Sequence, residues 1–88
     1  MVQEVVKVVN RAGIHARPAS LIVGVTKDFK SSIYFELGSE RINAKSILGV
    51  ITLGAAYNSE IKVIADGEDE REAVDRIVRM FASKFEEE

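Results

Sequence analysis

The stretch GIHARPAS, residues 13–20, decides how the chain is organised, because a valine-rich segment ends before it and a helical pattern begins inside it. It contains the only histidine and the only proline of the 88 residues. Pro18 suits a first helical turn, where a missing N–H costs no hydrogen bond, and the residue before a proline avoids helical angles. We therefore predict that a helix begins close to Pro18 and that His15 lies at its start.

His15 and Arg17 form a candidate phosphate site. A neutral imidazole is a nucleophile near cellular pH, and the guanidinium that follows it offers a planar set of donors that fits a phosphate. The first amides of a helix and the positive end of its dipole also favour an anion. A nucleophile at an anion site suggests that His15 carries the anion covalently, although a lone histidine at a helix start is often only a capping or surface residue.

The composition limits the possible folds and functions. The 88 residues, 47% of them apolar, suffice for a single domain spanning residues 1–88. A chain without cysteine and with one histidine has no disulfide and no thiolate or multi-histidine metal site, so we expect no metal. A net charge of −2 argues against nucleic acid as a partner. No apolar run is long enough for membrane insertion and no signal-peptide pattern is present, so we expect a cytoplasmic protein.

The rest of the chain alternates between strand and helix patterns. Strands are predicted at residues 2–10, 31–37, 40–43 and 60–66, and helices at residues 18–27, 47–53 and 69–85. On the first strand, Val6 and Val8 are expected to face the core. The predicted core positions of the first and last helices are Leu21, Ile22, Val25 and Phe29, and Val74, Ile77, Val78, Phe81 and Phe85. This βαββαβα order predicts an α+β fold of two layers, and it leaves several strand orders open, including a ferredoxin-like one.

Ser46 precedes the short middle helix and suits its N-cap, and Gly54 suits its end. Ile47 and Leu48 come so early in this helix that at least one of them is a candidate for exposure. A small exposed apolar patch is typical of a partner surface. The residue pattern alone slightly favours the alternative, in which both side chains help to close the core.

Three classes of function remain open on the residues alone. They are a phosphocarrier, a small enzyme that uses His15 as a general base, and a binding module in which His15 has no role. An enzyme of the hydrolase kind needs a group that orients its base and a substrate pocket, and neither is evident. An RNA-binding sheet needs exposed aromatic platforms, which the strands lack. A carrier needs only a nucleophile, an anion site and a docking surface.

Two segments of the chain resemble a known family. The sequence GIHARPA, residues 13–19, is similar to the active-site signature of HPr, the histidine phosphocarrier of the bacterial sugar phosphotransferase system. The sequence KSILGV, residues 45–50, is similar to the regulatory serine segment of that family. The resemblance covers essentially the whole chain. It implies an open-faced sandwich, with an antiparallel four-stranded sheet in the order 1-4-2-3 and three helices on one face.

The resemblance also implies roles for individual residues. His15 would be phosphorylated on Nδ1, and Arg17 and Ala16, with the amides at the helix start, would stabilise the phosphoryl group. Ser46 would be a regulatory phosphorylation site. The positions that match docking residues of the family are Ala16, Ser20, Ile47 and Leu48.

The resemblance finally implies a set of partners. Enzyme I, charged by phosphoenolpyruvate, would donate the phosphoryl group, and the IIA domains of sugar permeases would accept it. An HPr kinase/phosphorylase and a catabolite-repression transcription factor would be the partners of Ser46. We therefore expect a monomeric phosphoryl carrier that is not an enzyme and that needs no cofactor.

Overall fold

The computed structural model describes residues 1–86. Its strands and helices are, in chain order, β1 (Val2–Lys7), α1 (Ala16–Thr26), β2 (Ser32–Leu37), β3 (Glu40–Asn43), α2 (Ile47–Leu53), β4 (Glu60–Asp66) and α3 (Glu70–Ala82), followed by a 3-10 turn at Lys84–Glu86. The predicted βαββαβα order is confirmed. None of the helices in residues 1–86 is long and apolar enough to cross a bilayer.

The four strands form one sheet in the order β1-β4-β2-β3, and all neighbouring pairs are antiparallel. This order confirms the one implied by the family resemblance and excludes the ferredoxin-like order that the residue pattern had left open. Burial alternates along the strands as expected from their period of two, except at Ile64 of β4, which is buried like both of its neighbours. On the pair formed by β1 and β4, Val6 opposite Ile61 is buried, whereas the next pair, Val5 opposite Lys62, is exposed.

The core lies between the buried face of the sheet and the helices. The third helix contributes most of the predicted stripe, with Val74, Ile77 and Phe81 buried and Val78 partly buried. The Phe81 ring packs edge-on against Phe35 of β2, with ring centroids 6.0 Å apart, and against Phe85, with centroids 4.8 Å apart. Such edge-to-face contacts add to the free energy gained by burying the rings.

The first strand is shorter than predicted and ends at Lys7. Val8 is fully buried as expected, but its amide donates to Ser59 O at 2.9 Å and its carbonyl accepts from Asn58 N at 2.8 Å. These partners lie in the loop before β4. The chain therefore leaves the sheet after Lys7 and is held by this loop instead of by the strand ladder.

The last helix also ends before its predicted boundary at Phe85. Its last residue is Ala82, because Lys84 and Phe85 take positive φ angles of 55° and 57° that a right-handed helix cannot continue. Phe85 is nevertheless buried, as predicted, and closes the core beside Phe81. The apolar spacing identified the buried side chain but not the change in backbone conformation.

The buried face of α1 differs from the predicted one. Ile22 is buried and Val25 is partly buried, but Leu21 is exposed, so the prediction for Leu21 was wrong. Almost every side of this helix carries an apolar residue, and spacing alone therefore does not select the buried side. Gly24, in the middle of α1, faces open space, since no described atom outside the neighbouring backbone of its own helix lies within 4 Å of the position a Cβ would take.

Asp69 joins the loop before β2 to the start of α3. Its carboxylate accepts hydrogen bonds from Lys30 N at 2.8 Å, from Ser31 N at 2.9 Å and from the Ser31 hydroxyl. The Ser31 hydroxyl and the Lys30 amide favour the charged carboxylate, and together they lower the pKa of Asp69 to about 2. The ionised side chain therefore stabilises the folded chain.

Asp69→Asn is expected to lower the free energy of unfolding at pH 7. Because the pKa of Asp69 in the folded chain lies below its usual value of about 3.9, its contribution is complete above that pH and is lost as the pH falls towards 2. Urea unfolding at pH 7 and at steps between pH 4 and 2 should show the difference from the parent chain shrinking with acid. Asp28→Asn, at an exposed position nearby, is the control. A difference that is constant over this range would contradict the assignment.

Candidate functional site

His15 is exposed and occupies the N-cap of α1. Its backbone is extended, with φ −96° and ψ −164°, and its carbonyl accepts the first helical hydrogen bond from Ala19 N at 3.0 Å. Pro18 has no N–H, so the amides of Ala16 and Arg17 precede this first bond at the positive end of the helix dipole. The prediction that His15 lies at a helix start is confirmed. The helix begins at Ala16, two residues before Pro18. Pro18 thus lies in the first helical turn, where a backbone N–H would have no carbonyl partner within the helix.

The loop before His15 is fixed by close backbone contacts. Gly13 N donates to Asn10 O at 3.1 Å, Asn10 Nδ2 donates to Gly13 O at 2.7 Å, and Ile14 N donates to Ala55 O at 2.9 Å. Gly13 has φ +75°, and a Cβ there would lie 2.9 Å from Ala55 O. The conformation and the close approach to Ala55 therefore both require glycine at this position.

The other residues predicted near the phosphoryl group lie in the first turns of α1. Ala16, Arg17 and Ser20 are exposed, and Ala16 and Ser20 are four residues apart, so they share one face of the helix. In residues 1–86, no group of three or more His, Cys, Asp or Glu side chains is placed to hold a metal ion. The groups of a chemistry that suits an anion at this end of α1 are the His15 imidazole, the Arg17 guanidinium and the backbone amides.

Ser46 caps α2 as predicted. Its Oγ accepts a hydrogen bond from Gly49 N at 3.0 Å, and Gly54 ends the helix in the left-handed conformation with φ 65°. Glycine at position 49 leaves room for this cap, since a Cβ there would lie 3.3 Å from both Asn43 O and Ser46 Cβ. The short helix therefore has a defined start and end.

Ile47 and Leu48 are both exposed, Leu48 by 71% and Ile47 by 45%. The expectation that both close the core was wrong. A helix of seven residues has few inward positions, and α2 uses Val50 and Leu53 for its buried side. The first turn therefore directs its apolar side chains to solvent.

The helices α1 and α2 pack against each other, and the hydrogen bonds between their ends mean that they run in opposite directions. Hydrogen bonds join the start of α1 to the end of α2, and the end of α1 to the start of α2: Ile14 N to Ala55 O (2.9 Å), Thr26 Oγ1 to Ala44 O (2.7 Å) and Lys45 Nζ to Phe29 O (2.7 Å). The 11 residues of α1 span about 16 Å. His15 and Ser46 therefore lie towards opposite ends of the helix pair and are not brought into one site.

The helix pair carries an exposed group of apolar side chains, which we call the α1/α2 apolar surface. It consists of Leu21 (41% exposed), Ile47 (45%), Leu48 (71%) and Ile51 (38%). Exposed apolar groups of this kind are typical of partner-binding surfaces. The residue pattern alone indicated only the first turn of α2 as a candidate for such an apolar surface. The exposure of Leu21 and Ile51 depends on how the two helices pack, which no local pattern reports.

Comparisons with known proteins agree with this fold. A family model described as "PTS HPr component phosphorylation site" matches residues 2–83. Phosphocarrier protein HPr of Treponema pallidum (strain Nichols) is 48% identical over 88 residues, which cover 100% of both chains. The crystal structure of HPr-C-His from Thermoanaerobacter tengcongensis has a TM-score of 0.96 at 40% identity, and the match covers 100% of this chain and 99% of that one.

A further relative is named as HPr-like. The HPr-like protein Crh of Bacillus subtilis (strain 168) is 40% identical over 77 residues, covering 88% of this chain and 91% of Crh. A crystal structure of Crh, described as a domain-swapped dimer, has a TM-score of 0.70 at 38% identity and covers 99% of this chain and 95% of that one. The similarity thus extends to carriers and to a protein named for catabolite repression.

Proposed function

The chain belongs to the HPr family of phosphocarrier proteins of the phosphotransferase system, and from this premise we propose that His15 accepts and donates the phosphoryl group. Proteins of this family are carriers and not enzymes. The observation that carries the proposal is that the only histidine of the sequence lies exposed at the N-cap of α1, inside the segment matched by the family's phosphorylation-site model.

The proposed reaction takes place at Nδ1 of His15. The nitrogen lone pair attacks the phosphorus held by Enzyme I, and the bond to the donor breaks as the new bond forms. The Arg17 guanidinium and the amides of Ala16 and Arg17 balance the charge of the phosphoryl oxygens. Phosphoryl transfer depends mainly on positioning and on such charge stabilisation, so a carrier needs few groups of its own. Reversal of the same steps on a IIA domain of a sugar permease returns His15 to its free form.

We propose that both partners dock on one surface around the start of α1 and the exposed part of α2. Its residues are Ala16, Ser20, Ile47 and Leu48, of which the last two belong to the α1/α2 apolar surface. Enzyme I and a IIA domain must each reach His15, so they bind in turn. We further propose that residues 1–88 act as a single-domain, monomeric protein in the cytoplasm. Light scattering on the purified chain tests the oligomeric state.

Ser46 is proposed as the site at which this transfer is regulated. Its Oγ lies at the start of α2, next in sequence to the exposed Ile47 and Leu48. A phosphate there would change the charge of the docking surface without touching His15. The proposed modifying partner is an HPr kinase/phosphorylase, and the proposed reader of the modified form is a catabolite-repression transcription factor.

The central experiment is incubation of the purified chain with phosphoenolpyruvate and Enzyme I, followed by measurement of the intact mass. We expect the mass of one phosphoryl group to be added and to be lost after brief acid treatment, as expected for phosphohistidine. A reaction without Enzyme I is the control. No mass increase with an Enzyme I preparation that phosphorylates another HPr would contradict the proposed function.

Arg17→Lys tests the role of the guanidinium. Lysine keeps the positive charge but not the planar pair of donors, so we expect transfer to slow about fivefold, the equivalent of about 1 kcal/mol in the transition state. The free energy of unfolding should change by less than about 0.5 kcal/mol, because the side chain is exposed. Arg79→Lys on α3 is the matched control. Equal transfer rates for Arg17→Lys and the parent chain would make Arg17 a surface charge without a role in transfer.

A further inference from the structure

We propose that Asn10 is a positioning residue for His15, an inference that rests on the proposed function of His15 as phosphoryl acceptor. Asn10 follows the end of β1 and is only 1% exposed. It acts through the backbone of Gly13 and Ile14, and it is not a catalytic residue. The sequence pattern places this residue only at the end of the first predicted strand, residues 2–10.

The side chain and backbone of Asn10 together hold both backbone polar groups of Gly13. Asn10 Nδ2 donates to Gly13 O at 2.7 Å, and Asn10 O accepts from Gly13 N at 3.1 Å. The turn formed by residues 10–13 is therefore closed from both sides. Its last residue has φ +75°, so the direction of the following chain depends on how firmly Gly13 is held.

The residue between Gly13 and His15 is fixed as well. The Ile14 side chain is buried in the core, and Ile14 N donates to Ala55 O at 2.9 Å. His15 thus follows two residues that are anchored to separate parts of the protein, Gly13 to Asn10 and Ile14 to the loop after α2. These anchors set the extended N-cap conformation from which the imidazole projects.

The second polar atom of the Asn10 side chain, Oδ1, makes asparagine costly at this position. Its Oδ1 is buried and has no hydrogen-bond partner within the part of the chain that the structure describes. Buried acceptors without partners are unfavourable and uncommon. Asparagine at this position therefore carries an energetic cost, which the Nδ2 bond to Gly13 O has to offset. Residues that are unfavourable for local stability, as this asparagine is, are found mainly at functional sites.

Asn10→Ala separates positioning from stability. It removes the unpartnered oxygen but also takes the side-chain donor from the buried Gly13 carbonyl and leaves a small cavity, so the melting temperature should fall modestly while the fold is kept. The turn loses its side-chain bond, and we expect kcat for phosphorylation by Enzyme I to fall about tenfold through misplacement of the imidazole. KM for the chain should stay unchanged, because the docking residues are not altered.

The matched control is Ser31→Ala, which also removes a buried side chain that donates a hydrogen bond. Ser31 lies beyond the C-terminal end of α1, about 16 Å of helix away from His15. This variant should lower the melting temperature and leave kcat unchanged. Because His15 is the only histidine, imidazole correlations in an NMR spectrum report on it alone. They should shift or broaden in Asn10→Ala and remain as in the parent chain in Ser31→Ala.

Asn10→Asp is the second variant, used also if Asn10→Ala does not fold. It keeps the size of the side chain and places an acceptor against Gly13 O, so kcat should again fall. An unchanged kcat and unchanged His15 resonances in a folded Asn10 variant would overturn the positioning role, and so would a loss of kcat that only follows the unfolded fraction. Failure of the parent chain to accept a phosphoryl group would contradict the proposed function instead.

Discussion

His15→Ala is expected to remain folded and to accept no phosphoryl group from Enzyme I. The sequence contains no second histidine, so no other side chain can form an acid-labile phosphohistidine. The His15 side chain is exposed at the N-cap of α1, and its removal leaves no cavity in the core. We therefore expect the free energy of unfolding to change by less than about 0.5 kcal/mol while transfer is lost completely.

The measurement is the intact mass after incubation with phosphoenolpyruvate and Enzyme I, before and after acid treatment. Lys27→Ala, a truncation of an exposed cationic side chain at the other end of α1, is the matched control and should be phosphorylated like the parent chain. Acid-labile phosphorylation that persists in His15→Ala would exclude His15 as the sole acceptor. A variant that fails to fold would show that the side chain supports the loop and does not only project from it.

The fold was predictable where each element carries its own signal. The strand at Glu60–Asp66 was found with its full length, because Ile61 and Val63 alternate with exposed residues and Asp66 is followed by a glycine. The strand order was not predictable from local pattern, since it depends on pairs distant in sequence. One such pair is Val6 with Ile61. Only the resemblance to a known family supplied that order in advance.

The positions of the candidate site residues were predictable from the sequence, but the surface around them was not. His15 and the Ser46 cap follow from residue type and helix-start rules, and both were found as expected. The exposure of Leu21 depends on which side of an almost uniformly apolar helix packs inwards. The contacts of Asn10 depend on a turn that returns to Gly13, and an asparagine before a glycine indicates a turn without indicating its hydrogen bonds.

The position of Ser46 limits how a charge there can affect transfer. Ser46 starts α2, whose opposite end is bonded to the residue before His15, so the two sites are separated by the length of the helix pair. A negative group at Ser46 would therefore not contact a phosphoryl group carried by His15. It lies instead beside Ile47 and Leu48, the exposed first turn of α2. The expected effect is on partner binding and not on the chemical step.

Ser46→Asp is accordingly expected to raise KM for phosphorylation by Enzyme I at least about 30-fold, with kcat nearly unchanged. The magnitude corresponds to about 2 kcal/mol, on the proposal that Enzyme I presents acidic groups against the first turn of α2. The fold should survive, because aspartate is a good N-cap and a negative charge is favourable at a helix start. High salt should reduce the difference, as screening requires.

Ser46→Asn is the matched control, since asparagine caps helices equally well and has the size of aspartate without its charge. Its KM should remain close to that of the parent chain. A KM for Ser46→Asp that equals the KM for Ser46→Asn would leave Ser46 with no role beyond capping α2. A fall in kcat at unchanged KM would place the effect at His15 itself. The charge at Ser46 would then act through the packed helices α1 and α2 and not through partner binding.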